Sequence, residues 1–279
     1  MIFLIISTII WALSFSIIGN YLSSTIDPWS LSLLRLIISF LIFLPFADVK
    51  ISKKRMIQIT GIGAIQIGFM YSFYLNAFSF INVEKILLFT IFTPIYVTIV
   101  SDIFQKKIKK FFLCLSILSV IGSLIIRITD VQLLDVKGFV LIQGANFSFA
   151  LGQVLYRRYI KNNSSLDYNL NEFVYFYFGA IIIASLGSLI MIDSLTYPKS
   201  ITQWLLVLWL GAIASGLGYY LWNRGSVLVS NGTLAVMNNL VIPLGLLIEI
   251  IFFSKLINVT NYIIGALIIL SSIYFSLRR

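Results

Sequence analysis

Histidine is absent from this 279-residue chain, and cysteine occurs once, at Cys114. No imidazole is therefore available to hold a metal, act as general acid or base, or relay protons, and no internal disulfide can form. Charge is scarce as well: charged residues make up 11% of the chain, and only 10 are acidic against 20 Lys and Arg. A Gly-rich phosphate loop, paired cysteines and a nucleophile elbow are all missing. An intramembrane enzyme, for example a lipid-modifying transferase, would need convergent acid–base or metal-binding groups, and little here could build one. No cofactor is expected.

What the chain has is apolar surface, with 59% hydrophobic residues and a mean hydropathy of +1.01. The solvent for such a composition is lipid. Its apolar runs are continuous rather than alternating, which favours spanning helices over a β-barrel. Breaks at polar or turn-rich positions leave ten candidate spans, near 2–22, 28–46, 57–78, 86–104, 111–128, 137–156, 172–192, 201–222, 234–253 and 261–277. The opening "MIFLIISTIIWALSFSIIGNYL" has no basic n-region and no small-residue cleavage site, so it reads as the first helix rather than a signal peptide. Cys114 falls in an apolar run and reads as packing.

The net charge of +10 raises nucleic acid as a partner, but the cations lie in loops. Alternate gaps hold Lys50, Lys53, Lys54 and Arg55; Lys106, Lys107, Lys109 and Lys110; Arg157, Arg158 and Lys161; Arg224; and Arg278 with Arg279. The remaining gaps hold only Lys85, Arg127, Lys137, Lys199 and Lys255. By the positive-inside rule both termini are expected in the cytoplasm, with an even number of helices in the inner membrane and "KISKKR" and "KKIKK" facing anionic lipid. No nucleic-acid partner is expected, and the chain reads as a monomer.

Internal symmetry points the same way. "NAFSFINVEKILLFTIFTPIYVTIV" and "GSVLVSNGTLAVMNNLVIPLGLLIE" superpose with Pro94 opposite Pro243, which puts Asn82 opposite Asn231, and Phe89 and Thr90 opposite Asn238 and Asn239. Five helices per half make the second unit enter the membrane from the opposite side, the arithmetic of an inverted repeat. The expected units are 1–130 and 136–279.

Polar residues inside the spans follow helical faces. On the ninth, Asn238, Ile242, Gly245 and Glu249 share one face, and Pro243 frees the carbonyl of Asn239 from its helical partner. Unsatisfied backbone at membrane depth is tolerated only where protein or water meets it. The two asparagines read either as glue between helices or as ligands for a solute. Arg35, in the second span, lies seven residues after Pro28 and about 10 Å from the outer end at 1.5 Å per residue; an intramembrane arginine usually faces protein or a water-filled cavity. An Arg35–Glu249 ion pair is one expectation, structural or gating. The sixth span carries Gln143, Asn146, Ala150 and Gln153 on one stripe, the fourth carries Thr90 and Thr93 before Pro94, the third Tyr71 and Tyr74, and the first Trp11 and Phe15. Trp11, Tyr71 and Tyr74 could cage part of a solute. In "GLGYYLWNRG", Gly216 and Gly218 allow close approach, while Trp222 beside Arg224 reads as interfacial belt. The carboxylates of "DVQLLDVK" read as solvated in an outer loop.

Three stretches then resemble one family: "IIWALSFSI", "PWSLSLLRLIISFLIFLP" and "AFSF…TPIYVTIV". The chain is similar to the drug/metabolite transporter superfamily in its ten-helix, EamA-like form. "YYLWNRGSVLVSNGTLAVMNNLVIPLGLLIE" looks like the carboxylate, amino acid and amine transporter branch. The resemblance implies an all-α integral membrane protein of ten transmembrane helices, two inverted five-helix repeats around a central cavity, with alternating access moving small organic solutes, often outward. Helices one, three, four, six, eight and nine line that cavity in the family. Carried over, this implies Trp11, Phe15, Tyr71, Tyr74, Thr90, Thr93, Gln143, Asn146, Tyr220, Asn238 and Asn239 as lining residues, and Arg35 matches the family's arginine in the second helix. The Gly-Glu pair common beyond the fourth and ninth helices is replaced here by "FQKKIK" and "FSKLIN". The expected function is a secondary transporter, in the direction of efflux, for an amino acid, amine or carboxylate; a pore is the alternative. If transport is proton-coupled, Glu249 is the first candidate and Asp102 the second.

Overall fold

The computed structural model describes residues 1–127, 135–163, 170–254, 256 and 258–278, the side chain of Arg127 excepted. The expected boundary between the two units and most of "DVQLLDVK" lie outside the described residues, as do Lys255 and Arg279. Among the described residues ten helices run along the chain: α1 (Ile2–Leu22), α2 (Pro28–Phe46), α3 (Lys53–Ala77), α4 (Val83–Gln105), α5 (Lys110–Arg127), α6 (Val136–Asn162), α7 (Leu170–Met191), α8 (Ile201–Val227), α9 (Asn231–Phe253) and α10 (Val259–Leu277). Nine are long and apolar enough to cross a bilayer, and α5 is a shorter apolar helix. Among the described residues there is no strand.

Polar residues that an apolar-run reading assigns to loops set the helix starts. Ser52 accepts from the backbone N–H of Arg55 at 3.4 Å, Asn82 from Lys85 at 3.1 Å, and Ser230 from Thr233 at 3.1 Å. Each satisfies a first-turn donor that has no partner within its own helix. So α3, α4 and α9 begin at 53, 83 and 231, not at 57, 86 and 234. At the other end, α6 continues through its basic residues to Asn162, and α8 to Val227.

The packing has a two-fold character. α1 packs on α8 and α9, as α6 packs on α3 and α4; α2 packs on α8 as α7 packs on α3; and α2 meets α7, and α5 meets α10. Exchanging each helix for the one five places along maps these pairs onto one another. The irregularities map too. α3 and α8 are each widened into π-helix, at Ala64–Phe69 and Leu210–Leu217. α4 and α9 are each broken by a 3-10 turn, at Thr90–Phe92 and Asn238–Leu240. Both then end on a left-handed residue, Lys106 and Ser254.

These landmarks correct the alignment by one position. Asn82 to Ser230, Thr90 to Asn238 and Lys106 to Ser254 are each 148 residues apart, whereas matching the two prolines gives 149. Pro94 is second in the helical stretch Thr93–Gln105, and Pro243 is third in Val241–Phe253. Proline is accepted at either place because first-turn donors lack intrahelical partners anyway, so it does not fix the register.

The crossing of α5 and α10 brings backbones into contact. A Cβ on Gly122 would sit 2.9 Å from the Gly265 carbonyl oxygen, and one on Gly265 would sit 2.3 Å from that of Gly122; α5 and α10 thus approach as closely as bare backbone allows. At one end of the bundle Arg55 pairs with Glu172, which also accepts from the Tyr159 hydroxyl at 2.6 Å. At the opposite end Lys85 pairs with Asp135, so this carboxylate of the expected solvated pair is engaged.

Candidate functional site

The π-helical stretch of α8 is where the site begins. A π turn shifts carbonyls out of their usual intrahelical bonds, and here neighbouring helices collect them. Trp11 Nε1 donates to Ala214 O at 3.0 Å, the Ser39 hydroxyl lies 2.7 Å from Gly211 O, and the Tyr177 hydroxyl reaches Ser215 O and Gly216 O at 2.7 and 2.9 Å. A Cβ at Gly218 would sit 2.8 Å from Trp11 Nε1, so the glycine leaves the indole room beside α8.

The breaks in α4 and α9 are satisfied in the same manner. Phe89 O accepts from Gln143 Nε2 at 3.0 Å and from Asn146 Nδ2 at 2.9 Å. Ile91 O accepts from Asn239 Nδ2 at 3.0 Å. Side chains of α6 and α9 thus stand in for the helical bonds that α4 gives up, as buried backbone in a membrane requires. Thr93 Oγ1 and Asn146 Oδ1 lie 3.0 Å apart and close this network at the wall of a cavity.

The cavity has a volume of about 90 Å³ and is framed by α1, α2, α3, α4, α6, α8 and α9. One wall is aromatic: the Trp11 ring lies 4.9 Å from Trp222 and Tyr219 and 5.5 Å from Phe149, and Phe15 meets Tyr74 edge-on at 5.2 Å. The other is polar, with Thr90, Thr93, Asn146 and Asn238. Between them stands Arg35, only 1% exposed. Its Nε donates to Ser215 Oγ at 3.0 Å, its Nη2 to the Tyr71 hydroxyl at 2.5 Å, and its guanidinium lies 4.4 Å from the Tyr71 ring centre. Its Nη1 is buried with no hydrogen-bond partner among the described residues. Among the described residues no carboxylate lines the cavity. The site is a single buried positive charge between an apolar shelf and a row of amides and hydroxyls.

Eight of the eleven expected lining residues meet here: Trp11, Phe15, Tyr71, Tyr74, Thr90, Thr93, Asn146 and Asn238, together with Arg35. Three do not. Gln143 and Asn239 brace the α4 break from behind, and Tyr220 stacks on Phe173 and Phe43 at 5.2 and 6.0 Å. Arg35 and Glu249 have other partners than each other: Glu249, fully buried, accepts from Asn20 Nδ2 at 3.2 Å and so ties α9 to the end of α1. Asp102 accepts from the backbone N–H of Lys109 at 2.9 Å, which shapes the α4–α5 turn. Trp222 is not an interfacial belt residue. It is 1% exposed, lines the cavity and donates to Gln153 Oε1 at 3.0 Å, because α8 continues a further turn past it. Gln153 on the polar stripe of α6 was the available signal, since a buried indole N–H needs an acceptor. Phe149, Tyr219, Thr8 and Ser14 line the cavity without any sequence pattern that separates them from packing residues.

Comparison with known proteins agrees with this architecture. Residues 1–128 match the EamA-like transporter family. Over 273 residues the chain is 35% identical to a biotin transporter of Salmonella typhimurium and 36% identical to one of Escherichia coli, covering 97% of this chain and 91% of each relative. It is 33% identical to a probable biotin transporter of Pseudomonas aeruginosa, covering 98% of this chain and 96% of that one. A solved crystal structure superposes with a TM-score of 0.77 at 14% identity, over 100% of this chain and 98% of that one, a likeness of fold. The chain belongs to the EamA-like transporter family within the drug/metabolite transporter superfamily: it is a multi-pass membrane protein that transports a small molecule, and not an enzyme.

Proposed function

We propose that this chain carries biotin, and that it does so by holding the biotin carboxylate on Arg35. The observation that carries the reading is the Arg35 guanidinium, buried on the cavity wall with Nη1 unpartnered and no carboxylate beside it. A buried charge without a counter-ion is costly, and an anionic solute supplies the missing partner through charge-assisted hydrogen bonds. Biotin fits the remaining walls by chemistry: its apolar bicycle suits Trp11, Phe149 and Trp222, and its ureido group suits Asn146, Thr93 and Asn238. An amine would meet the arginine with like charge and find no acid to hold it. The names of the relatives support the same solute.

The two five-helix units, 1–130 and 136–279, rock about this cavity and expose it in turn to each side. The broken turns of α4 and α9 are the places where helix geometry changes most cheaply. Such a carrier is reversible, so net direction, efflux by the sequence-based expectation, follows the gradients imposed on it. Both termini face the cytoplasm of the inner membrane, and the monomer is the working unit.

Equilibrium binding to purified protein tests the reading: biotin binds, while biotinamide and biotin methyl ester, which lack the carboxylate, bind at least tenfold more weakly. Equal binding of all three would remove Arg35 as the anchor. Counterflow of labelled biotin in proteoliposomes separates a carrier from a pore.

A further inference from the structure

A second cavity, of about 380 Å³, opens at the end of the bundle that carries both termini. It lies where the last turns of α4 and α6 meet the α4–α5 and α8–α9 connections, and it shares no lining residue with the central cavity. Among the described residues four cations line it, Lys109, Arg157, Arg158 and Lys161, and no acid does.

Arg157 is built into the wall. It is 5% exposed, its Nη2 donates to Val229 O at 2.8 Å, and its Nη1 is buried without a hydrogen-bond partner among the described residues. Arg158 is held by Phe104, through the carbonyl at 3.0 Å and the ring at 4.6 Å. Opposite them Asn231 Nδ2 donates to Ser101 Oγ and ties α9 to α4. Asp102, next to Ser101, is occupied by the backbone N–H of Lys109. Elsewhere at this end the chain neutralises a cation it buries in part, since Arg55 has Glu172. Four cations kept together with no acid among the described lining residues repel one another unless an anion joins them. A monocarboxylate would leave most of that charge unanswered; a phosphate group offers more charge and several acceptors, and basic pockets between transmembrane helices suit such headgroups.

We propose that this pocket binds a phosphate-bearing anion carrying two or more negative charges, either a lipid headgroup with two phosphodiesters or a soluble phosphate. The site needs only this pocket and does not depend on what the central cavity carries. Lys109 and Lys161 contribute from its solvent side and Arg157 from its floor.

Thermal unfolding of the purified, delipidated chain tests the proposal, with two arms that separate the sources. One compares vesicles of phosphatidylcholine with and without diphosphatidylglycerol, and the other adds pyrophosphate to protein in detergent. The expected result is a rise in midpoint in at least one arm that fades with added salt. In the Lys109→Gln/Lys161→Gln variant, whose substitutions lie on the solvent side, the apparent affinity is about fivefold weaker for each cation removed. A response to diphosphatidylglycerol alone assigns the site to lipid, and a response to pyrophosphate assigns it to soluble phosphate. The Arg35→Gln variant keeps the response although its biotin binding is weakened, which separates this site from the central cavity. No rise in either arm, or a rise of equal size in the double variant, overturns the proposal. So would stabilisation by biotin alone that the double variant abolishes, since the pocket would then belong to the transport path.

Discussion

At the scale of single residues, Arg35 and Glu249 illustrate how a charge in the membrane is kept. Arg35 is held by Tyr71 and Ser215 with one nitrogen in reserve, whereas Glu249 is tied to Asn20. Replacing Arg35 by Gln removes a charge-assisted hydrogen bond worth about 1.5–3 kcal/mol, so the biotin dissociation constant rises roughly ten- to a hundredfold in equilibrium binding. Lys at this position keeps the charge but loses the planar fork, and restores only part of the affinity. For Glu249, Gln preserves an acceptor for Asn20 and removes the proton-binding group. Transport by Glu249→Gln in proteoliposomes that loses its pH dependence identifies Glu249 as the coupling group; pH dependence equal to that of the parent leaves it a latch between α1 and α9. The sequence pointed to both side chains as exceptional, since ionisable groups in apolar spans are rare. It could not supply their partners, because Ser215 and Asn20 are 180 and 229 residues away from them.

Elements deviate from ideal helix where the site needs them to. The break of α4 is carried by side chains of α6 and α9, and Asn239 is the single donor that α9 sends to Ile91 O. Asn239→Leu leaves that carbonyl buried and unpaired at a cost of about 1–3 kcal/mol, read as a lower unfolding midpoint with biotin affinity changed less than by Arg35→Gln, since Asn239 does not line the cavity. At the α5–α10 crossing, Gly265→Leu forces the backbones apart, because even a Cβ would stand 2.3 Å from the Gly122 carbonyl oxygen. A large fall in thermal stability is expected, with the central cavity unaltered in the folded fraction. The broken turns were legible in part: Pro94 and Pro243 mark both, and Asn238 and Asn239 stand out in an apolar run. The π-helical stretches were not, since "AIQIGF" and "LGAIASGL" carry the apolar pattern of any buried helix, and only packing against α1, α2 and α7 decides which carbonyls are released.

For the whole molecule, the distribution of Lys and Arg over alternate gaps sets orientation. In a Cys114→Ala background, a cysteine at Lys161 is shielded from a membrane-impermeant maleimide in intact cells and labelled in inverted vesicles, while one at Thr196 shows the opposite pattern. Matching behaviour at the two positions would place both on one side and end the ten-span topology. Helix number, apolar class and inverted symmetry were all readable from the chain, because each rests on a count along one dimension: apolar length, loop charge and a repeated block. The register of the repeat was misread by one residue, since proline is tolerated at either of two places in a first turn.

The sequence by itself determined that this protein lives in lipid, crosses it as helices, and carries one arginine and one glutamate too costly to be there without purpose. It did so because hydropathy and charge act locally, residue by residue, along the chain. Only the tertiary structure decided which polar residues line the central cavity and which repair backbone out of its reach. Gln143, Asn146 and Asn239 are alike in sequence, all amides within apolar spans, and all three donate to carbonyls of α4, yet of the three Asn146 alone also lines the cavity. The physical reason is that every buried amide must find partners, and which carbonyl is free to be one depends on where a helix 148 residues away, or 54, breaks.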